Sequence, residues 1–480
     1  MNITMILEMA ASAGSRPVVT ANGRSLTAPE LLARARSAAD RFRPYPAVLY
    51  LAANHVAYPV ALFGAALAGV PFVPLNYRLG EQQLKALQDR HPGALVLHPT
   101  DLEAVLEPGS ARADSSDPAD SLQDRDGPAV LIYTSGTSAE PKAAVLRHRH
   151  LLAYILNTLE FASAEAEDAA LVAVPPYHIA GLTNLLTNLY TGRRVVYLAG
   201  FEAKEWLETV RRERITHAML VPTMLARIVA VVPEGDAGTP TLRSLAYGGA
   251  RTPRPVLEQA LRIFPGTGFV NAYGLTETAS SIAVLGPDDH RTAVVSSDPI
   301  VRDRLGSVGR ALPGIEFEIR PDADGEPVGP GETGLVFVRG EQISGEYGSR
   351  SVLDAVGWFA TRDRGRLDAD GYLFIEGRAD DTIIRGGENI APEEIEDVLL
   401  THPGVVEAVV IGVPDPEWGQ RLVAVLVGDA DPGEIQQWVR DRLRSSKTPD
   451  AVVFRNELPK TETGKILRRV LLTDLEITHA

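Results

Sequence analysis

The chain reads as an α/β protein, with a large N-terminal domain of βα-layered sheets followed by a small α+β domain. Three features point there. Apolar strand-like runs alternate with helical patterns from Leu26 to Leu285, short strands between Gly/Pro/Asp turns fill about 305–376, and the pattern changes again after Gly377. In the first third, Leu26 to Phe42 has helical spacing, and Ala47-Val48-Leu49-Tyr50-Leu51 is a buried-type strand. Ala57 to Leu67 is a small-residue helix, and Val70 to Leu75 is a strand entering a turn. That alternation predicts a mostly parallel sheet with helices on its faces. Further βα units span Leu171 to Leu285. The stretches GIEFEIR and TGLVFVRG predict a small β-barrel-like subdomain. Beyond it, Ala391 to Leu400 is a helix with Pro392 in its first turn, VVEAVVIGV and RLVAVLVG are strands, and Asp431 to Leu443 is another helix. The expected division is 1–379 and 380–480.

With 480 residues the chain exceeds one ordinary core, so two or three domains are expected. Its 45% hydrophobic and 23% charged composition is that of a soluble globular protein. A net charge of −15 argues against nucleic acid or an anionic membrane as the main partner. The chain has no cysteine, which excludes disulfides, thiolate metal sites and cysteine nucleophiles. MNITMILEMAASAGSRP lacks a basic n-region and reads as a short amphipathic helix, and no run approaches the roughly 18 apolar residues of a membrane span. A cytoplasmic enzyme is the default expectation.

The chemistry concentrates in a few segments. After the apolar run Ala129-Val130-Leu131-Ile132 comes a loop dense in hydroxyls: Tyr133, Thr134, Ser135, Gly136, Thr137, Ser138, then Pro141 and Lys142. Hydroxyls and backbone N–H groups can donate to a phosphate, and lysine supplies charge. The same loop holds an acid, Glu140, with alanines at 139 and 143. The chain has only six lysines, Lys85, Lys142, Lys204, Lys447, Lys460 and Lys465, so its positive charge is otherwise arginine. Where lysine is kept, a compact ammonium is favoured over a guanidinium fork.

The loop resembles the phosphate-binding signature YTSGTTGxPKG of the adenylate-forming superfamily of acyl-CoA synthetases, standalone adenylation domains and luciferases. Further segments carry the same resemblance in order. Asn271-Ala272-Tyr273-Gly274-Leu275-Thr276-Glu277 is similar to xYGxTE, which implies that Tyr273 stacks on adenine, Thr276 meets the α-phosphate and Glu277 holds Mg²⁺. Tyr247-Gly248-Gly249-Ala250 resembles the glycine-rich lining of the adenine and acyl pocket. Pro175-Pro176-Tyr177-His178 resembles the segment bordering the substrate carboxylate, and no aspartate stands nearby to hold an α-amine. Trp358-Phe359-Ala360-Thr361-Arg362-Asp363 resembles W-[FY]-x-TGD, with Arg362 in place of glycine. Asp363 is then expected to accept the ribose hydroxyls. Arg378 is implied as a ribose or phosphate contact and Asp380 as the hinge of a mobile C-terminal domain. Gly386 and Gly387 are implied to line the passage for the pantetheine arm of CoA, and Lys465 in PKTETGK to stabilise charge during adenylation.

The resemblance implies ATP or acyl-AMP, Mg²⁺ and CoA as cofactors and two steps, acyl-adenylate formation and then thioester formation. Glu140 opposes the first selectively. ATP brings about four negative charges and an adenylate about one, and two like charges at ~4 Å repel by about 4 kcal/mol at an effective dielectric of 20. Alanines at positions built for positive φ would add about 1 kcal/mol each. Thioester formation is therefore expected intact and adenylation weak or absent. This pattern resembles the split acyl-CoA ligases of platensimycin- and platencin-type diterpenoid pathways, where a partner enzyme supplies the adenylate. The alternatives are a conventional two-step acyl- or aryl-CoA synthetase, and transfer to a carrier protein. The acid itself, which small residues such as Gly181, Ala246 and Gly248 allow to be bulky, is left open.

Overall fold

The computed structural model describes residues 1–107, 127–134, 142–232, 235–321, 323, 325–385, 388–415, 418–461, 464 and 466–479. Two mixed sheets make the framework of the N-terminal domain. The first, nine-stranded, runs Arg310–Ala311, Ser280–Leu285, Gly268–Leu275, Ser244–Gly248, His217–Leu220, Ala169–Val172, Arg194–Tyr197, Pro17–Ala21, Arg24–Thr27. Its central strands from Gly268–Leu275 to Pro17–Ala21 are parallel, with antiparallel partners at both edges. The second, seven-stranded, runs Arg350–Ser351, Glu346–Tyr347, Lys142–Arg147, Pro128–Thr134, Phe72–Pro74, Val48–Tyr50, Leu95–Leu97. Helices fill the space between them. Thr27 caps the helix Ala28–Phe42 in a reciprocal box with Glu30. Its neighbour Ala57–Ala68 is rich in small residues because the two helices touch: a Cβ on Gly64 would lie 2.9 Å from that of Ala38. The N-terminal helix Thr4–Ala13 buries Ile6, Leu7 and Ala10 in the same core.

The β-rich stretch forms a four-stranded antiparallel sheet, Glu316–Arg320, Gly334–Arg339, Phe359–Leu367, Leu373–Arg378. The C-terminal part has a three-stranded sheet of Val405–Asp415, Gly419–Gly428 and Ala451–Phe454, with separate apolar clusters on its two faces. Among the described residues no helix is long and apolar enough to cross a membrane.

Because the central strands are parallel, their C-terminal ends share one edge. Three segments holding predicted site residues begin there, 173–178 after Ala169–Val172, 249–251 after Ser244–Gly248 and 276–277 after Gly268–Leu275, and they are joined by 221–223 after His217–Leu220, which sequence reading did not single out. This is where open α/β sheets place ligands.

Candidate active site

The hairpin Pro128–Thr134/Lys142–Arg147 closes on the pair Thr134↔Lys142. Ser135, Gly136, Thr137, Ala139 and Glu140 lie outside the described residues. Ala143 corrects an expectation: it sits in the strand, paired with Tyr133, and is not among the residues with positive φ. Alanine there strains nothing, so the expected cost at 143 is withdrawn.

A strap, residues 340–347, joins this hairpin to the 276–281 turn. Tyr347 pairs with Ala144, and the Ser344 hydroxyl donates to the Val145 carbonyl. Arg147 grips Glu346 with two parallel bonds of 2.8 and 2.7 Å. On its other side the strap donates from Ser344 N–H to the Glu277 carbonyl (2.8 Å) and from the Gln342 amide to the carbonyls of Thr278 and Ser281 (2.9 Å each). The Tyr347 phenol donates to the buried Glu277 carboxylate. Burial, then the charge of Glu277, raises the phenol's pKa. Lys142 Nζ stands 6.0 Å from the centre of the Tyr347 ring. Both ends of the 135–141 loop are therefore fixed beside Glu277. Sequence reading missed Gln342, Ser344, Glu346 and Tyr347, which sit in a stretch without a recognisable phosphate or metal pattern.

A second cluster forms one sheet away. The Tyr273 hydroxyl donates to Asp363 Oδ2 at 2.5 Å, and Arg378 Nη1 donates to Asp363 Oδ1 at 2.7 Å and to the Thr361 carbonyl at 3.0 Å. Asp363 and Arg378 are cross-strand partners, which sets the geometry. Burial first, and Asp363 second, raise the Tyr273 phenol. A carboxylate has about four acceptor positions, so Asp363 keeps capacity for a diol.

Glycines along the edge serve backbone contact. A Cβ on Gly248 would lie 2.1 Å from the Ala272 carbonyl oxygen, one on Gly274 2.0 Å from that of Ser280, and one on Gly181 2.7 Å from that of Pro175. Their smallness is taken up by the scaffold and does not enlarge an acyl pocket. Gly249 and Ala250 are exposed, with Gly249 at φ +85°. Tyr247 points into the core: His290 presents Nδ1 to the Gly286 carbonyl (2.7 Å), so its Nε2 accepts from the phenol at 2.8 Å. The Asn271 amide is committed to the Ser307 carbonyl at 3.1 Å. Thr276 opens the short 3₁₀ turn that carries Glu277. His178 ends the 173–178 segment, its ring 4.6 Å from that of Tyr177 and tilted 47° to it, and precedes the helix Ile179–Thr191.

From the C-terminal side, Lys460 and Ile466 bridge the base of a loop. Gly464, at φ +80°, lies so close to Thr223 that a Cβ would fall 2.0 Å from the threonine methyl. Lys465 is outside the described residues, but its neighbour is thus docked on the strand-end edge. Gly386 and Gly387 are also outside them. The flanking strands Ile383–Arg385 and Glu388–Ile390 pair, and the first of them bonds within the C-terminal part, to Gln420, Ser446 and Asp450.

A hard cation bridging phosphates keeps waters and phosphate oxygens as ligands and needs one or two carboxylates. Glu277 fits that demand, and among the described residues no group of three or more His, Asp or Glu gathers to hold a metal by itself.

Comparison with known proteins agrees with this geometry. Residues 7–347 match the AMP-binding enzyme family and residues 394–465 the AMP-binding enzyme C-terminal domain. The chain is 36% identical over 472 residues to a feruloyl-CoA synthase from Amycolatopsis sp, covering 93% of each. ATP-bound MatB from Rhodopseudomonas palustris superposes with a TM-score of 0.88 at 25% identity over the whole of both chains. O-succinylbenzoate coenzyme A synthetase from Bacillus subtilis, in complex with ATP and magnesium ion, gives 0.81 at 27%, covering 98% of this chain and 99% of that one. The chain belongs to the AMP-binding, adenylate-forming family of enzymes and is an acid–thiol ligase of its acyl-CoA synthetase branch.

Proposed function

We propose that the enzyme makes the CoA thioester of an aromatic or arylalkyl carboxylic acid without an α-amine, and that it consumes the acyl-adenylate far better than it makes it. The carrying observation is Glu140, in a loop whose two ends, Thr134 and Lys142, stand beside Glu277 and Tyr347. An acid there meets the outer phosphates of ATP, which the adenylate lacks. Ferulate and o-succinylbenzoate, named in the relatives, are both aromatic acids, and AVPPYHIAGL offers no acid to hold an amine.

In this reading Thr134, Ser135, Gly136, Thr137 and Lys142 border the phosphates, with Ala139 and Glu140 weakening the hold on a triphosphate. Gly248, Gly249, Ala250, Asn271, Ala272, Tyr273 and Gly274 line the adenine side, with Asn271 acting through its backbone. Asp363 accepts the ribose diol and Arg378 holds that carboxylate in place. Thr276 donates to the α-phosphate, and Glu277 holds Mg²⁺, which supplies neutralisation of phosphate charge when bound. His178 borders the acyl carboxylate. Lys465 stabilises the charge that develops as a carboxylate oxygen bonds to the α-phosphorus and pyrophosphate leaves. Domain rotation about Asp380, at a 379/380 boundary, brings Gly386 and Gly387 to the site. The CoA thiolate sulfur then bonds to the acyl carbon, and the bond from that carbon to the phosphate oxygen breaks, AMP leaving with the electron pair. The adenylate would come from a separate adenylating enzyme, as in the platensimycin-type arrangement, in the cytoplasm.

Lys142 favours a second reading, a conventional two-step synthetase, because it keeps a phosphate-directed cation. One experiment decides. Ferulate and other aryl acids are supplied with ATP, and separately the corresponding acyl-adenylates with CoA. Thioester formation from the adenylate should exceed pyrophosphate release at least tenfold, a barrier difference of about 1.4 kcal/mol. Glu140→Leu with Ala139→Gly should raise pyrophosphate release, and adding Ala143→Gly should change nothing. Pyrophosphate release as fast as adenylate consumption, with the same acid, overturns the proposal in favour of the two-step enzyme.

A further inference from the structure

Two arginines on the N-terminal domain each adjoin a nucleotide contact and pair with an acid, Arg251 with one on the C-terminal domain and Arg362 with the hinge residue that leads into it. Arg251 follows the 248–250 turn and pairs with Asp397 on the helix Pro392–Leu399. Arg362 immediately precedes Asp363, and its guanidinium lies 3.5 Å from Asp380. Arg362 also has φ +63° inside the strand Phe359–Leu367. L-residues avoid that region and glycine enters it freely. Its side chain is 60% exposed, so packing does not demand an arginine. A strained residue kept beside a ligand-binding carboxylate points to a role.

Both pairs occur in the arrangement in which Gly464 rests on Thr223 and Glu393 rests against Gly377, where a Cβ would lie 2.3 Å from the glutamate oxygen. They span the two sides of the nucleotide pocket, one at the adenine turn and one at the ribose strand.

We infer that Arg251 and Arg362 are positioning residues: together they clasp the C-terminal domain with Gly464 against Thr223, and tie that arrangement to nucleotide occupancy. The inference rests on the proposed reading of 248–250 and Asp363 as nucleotide contacts. A ligand shifts an equilibrium only through contacts that differ between its states. The clasp supplies such a difference, because filling the pocket fixes the backbone that carries each arginine. Exposed pairs are individually weak, so breaking one should change the ratio of arrangements by about two- to fivefold.

The absence of cysteine makes the test clean. Val294→Cys and Val406→Cys, at exposed positions on the two domains, carry a donor–acceptor pair for single-molecule energy transfer. In nucleotide-free protein, Arg251→Asp should deplete the docked population about fivefold, and adding Asp397→Arg should restore it. Arg362→Gly should deplete it two- to fivefold, and Arg362→Lys should keep most of it. AMP should enrich the docked population of the parent protein. In Arg251→Ala with Arg362→Gly it should bind, by calorimetry, without that enrichment. Unchanged distributions in the single variants, or a charge-swapped pair no closer to the parent than Arg251→Asp alone, overturn the clasp. Failure of AMP to bind the parent protein would instead overturn the nucleotide-site reading, and the nucleotide-free distributions would still decide the clasp.

Discussion

Glu393 should make the C-terminal domain lose stability as pH rises, and Glu393→Gln should remove that residue's share of the loss. The residue lies on the helix Pro392–Leu399, packed against Gly377, with one carboxylate oxygen buried and lacking a hydrogen-bond partner among the described residues. Arg468 faces it at 3.4 Å but is shared with Glu396 (2.7 Å) and Asp381 (3.5 Å). Burial dominates: the carboxyl is pushed up from its ordinary 4.5 to about 7, with Glu396 and Asp381 adding to the rise and Arg468 opposing it. The folded state therefore binds a proton that the unfolded chain releases between about pH 4.5 and 7, so stability falls as pH rises through that window and stays low above it. The displacement corresponds to on the order of 3 kcal/mol, an upper bound because the arginine can follow the charge. Unfolding by urea from pH 5 to 8.5, followed by fluorescence of Trp418 and Trp438 in a protein whose N-terminal tryptophans are replaced by phenylalanine, reads the domain directly. The parent should lose about 1–3 kcal/mol relative to Glu393→Gln between pH 5 and 8. Asp397, raised to about 6, titrates in both proteins and cancels in the difference. Parallel pH profiles for the two proteins would refute the burial argument.

Two further outcomes follow from the site. Tyr347→Phe removes the donor to the buried Glu277 carboxylate, a charge-assisted bond worth about 1.5–3 kcal/mol. ATP–Mg²⁺ should bind about tenfold more weakly by calorimetry, and the effect should shrink in a Glu277→Gln background, whereas additive losses would show that the phenol acts elsewhere. Gly464→Ala puts a side chain into Thr223 at a left-handed φ, so that contact should be lost and cleavage by protease near residue 464 should rise. Thr223→Ala should restore part of the protection, and equal cleavage in all three proteins would refute the contact.

Much of the fold was legible locally. The run from Leu26 to Phe42 announces its helix through apolar spacing, and the structure places it at Ala28–Phe42 behind a Thr27/Glu30 cap. The two domains differ in periodicity, and each buries its own clusters. The candidate site was legible where a segment stands out by its own residue types, as Tyr273-Gly274-Leu275-Thr276-Glu277 does, and the structure puts that segment at the end of a central strand. It was not legible where function depends on what lies opposite. Tyr347 is one aromatic in a plain strand until pairing with Ala144 sets it over Glu277. Ala143 looked like a loop residue until strand pairing claimed it. Gly181 and Gly248 looked like room for substrate, yet neighbouring carbonyls occupy that space.

By itself the sequence determined the fold class, the enzyme family and the order of its segments, because apolar periods and short motifs act through neighbours along the chain. Only the tertiary structure decided which of those segments meet. The parallel strand ends gather 173–178, 221–223, 249–251 and 276–277 on one edge, and the 340–347 strap locks the Pro128–Thr134/Lys142–Arg147 hairpin to Glu277. Contacts between residues as distant as Arg147 and Glu346, or Tyr273 and Asp363, are set by sheet register and packing, which no local pattern encodes.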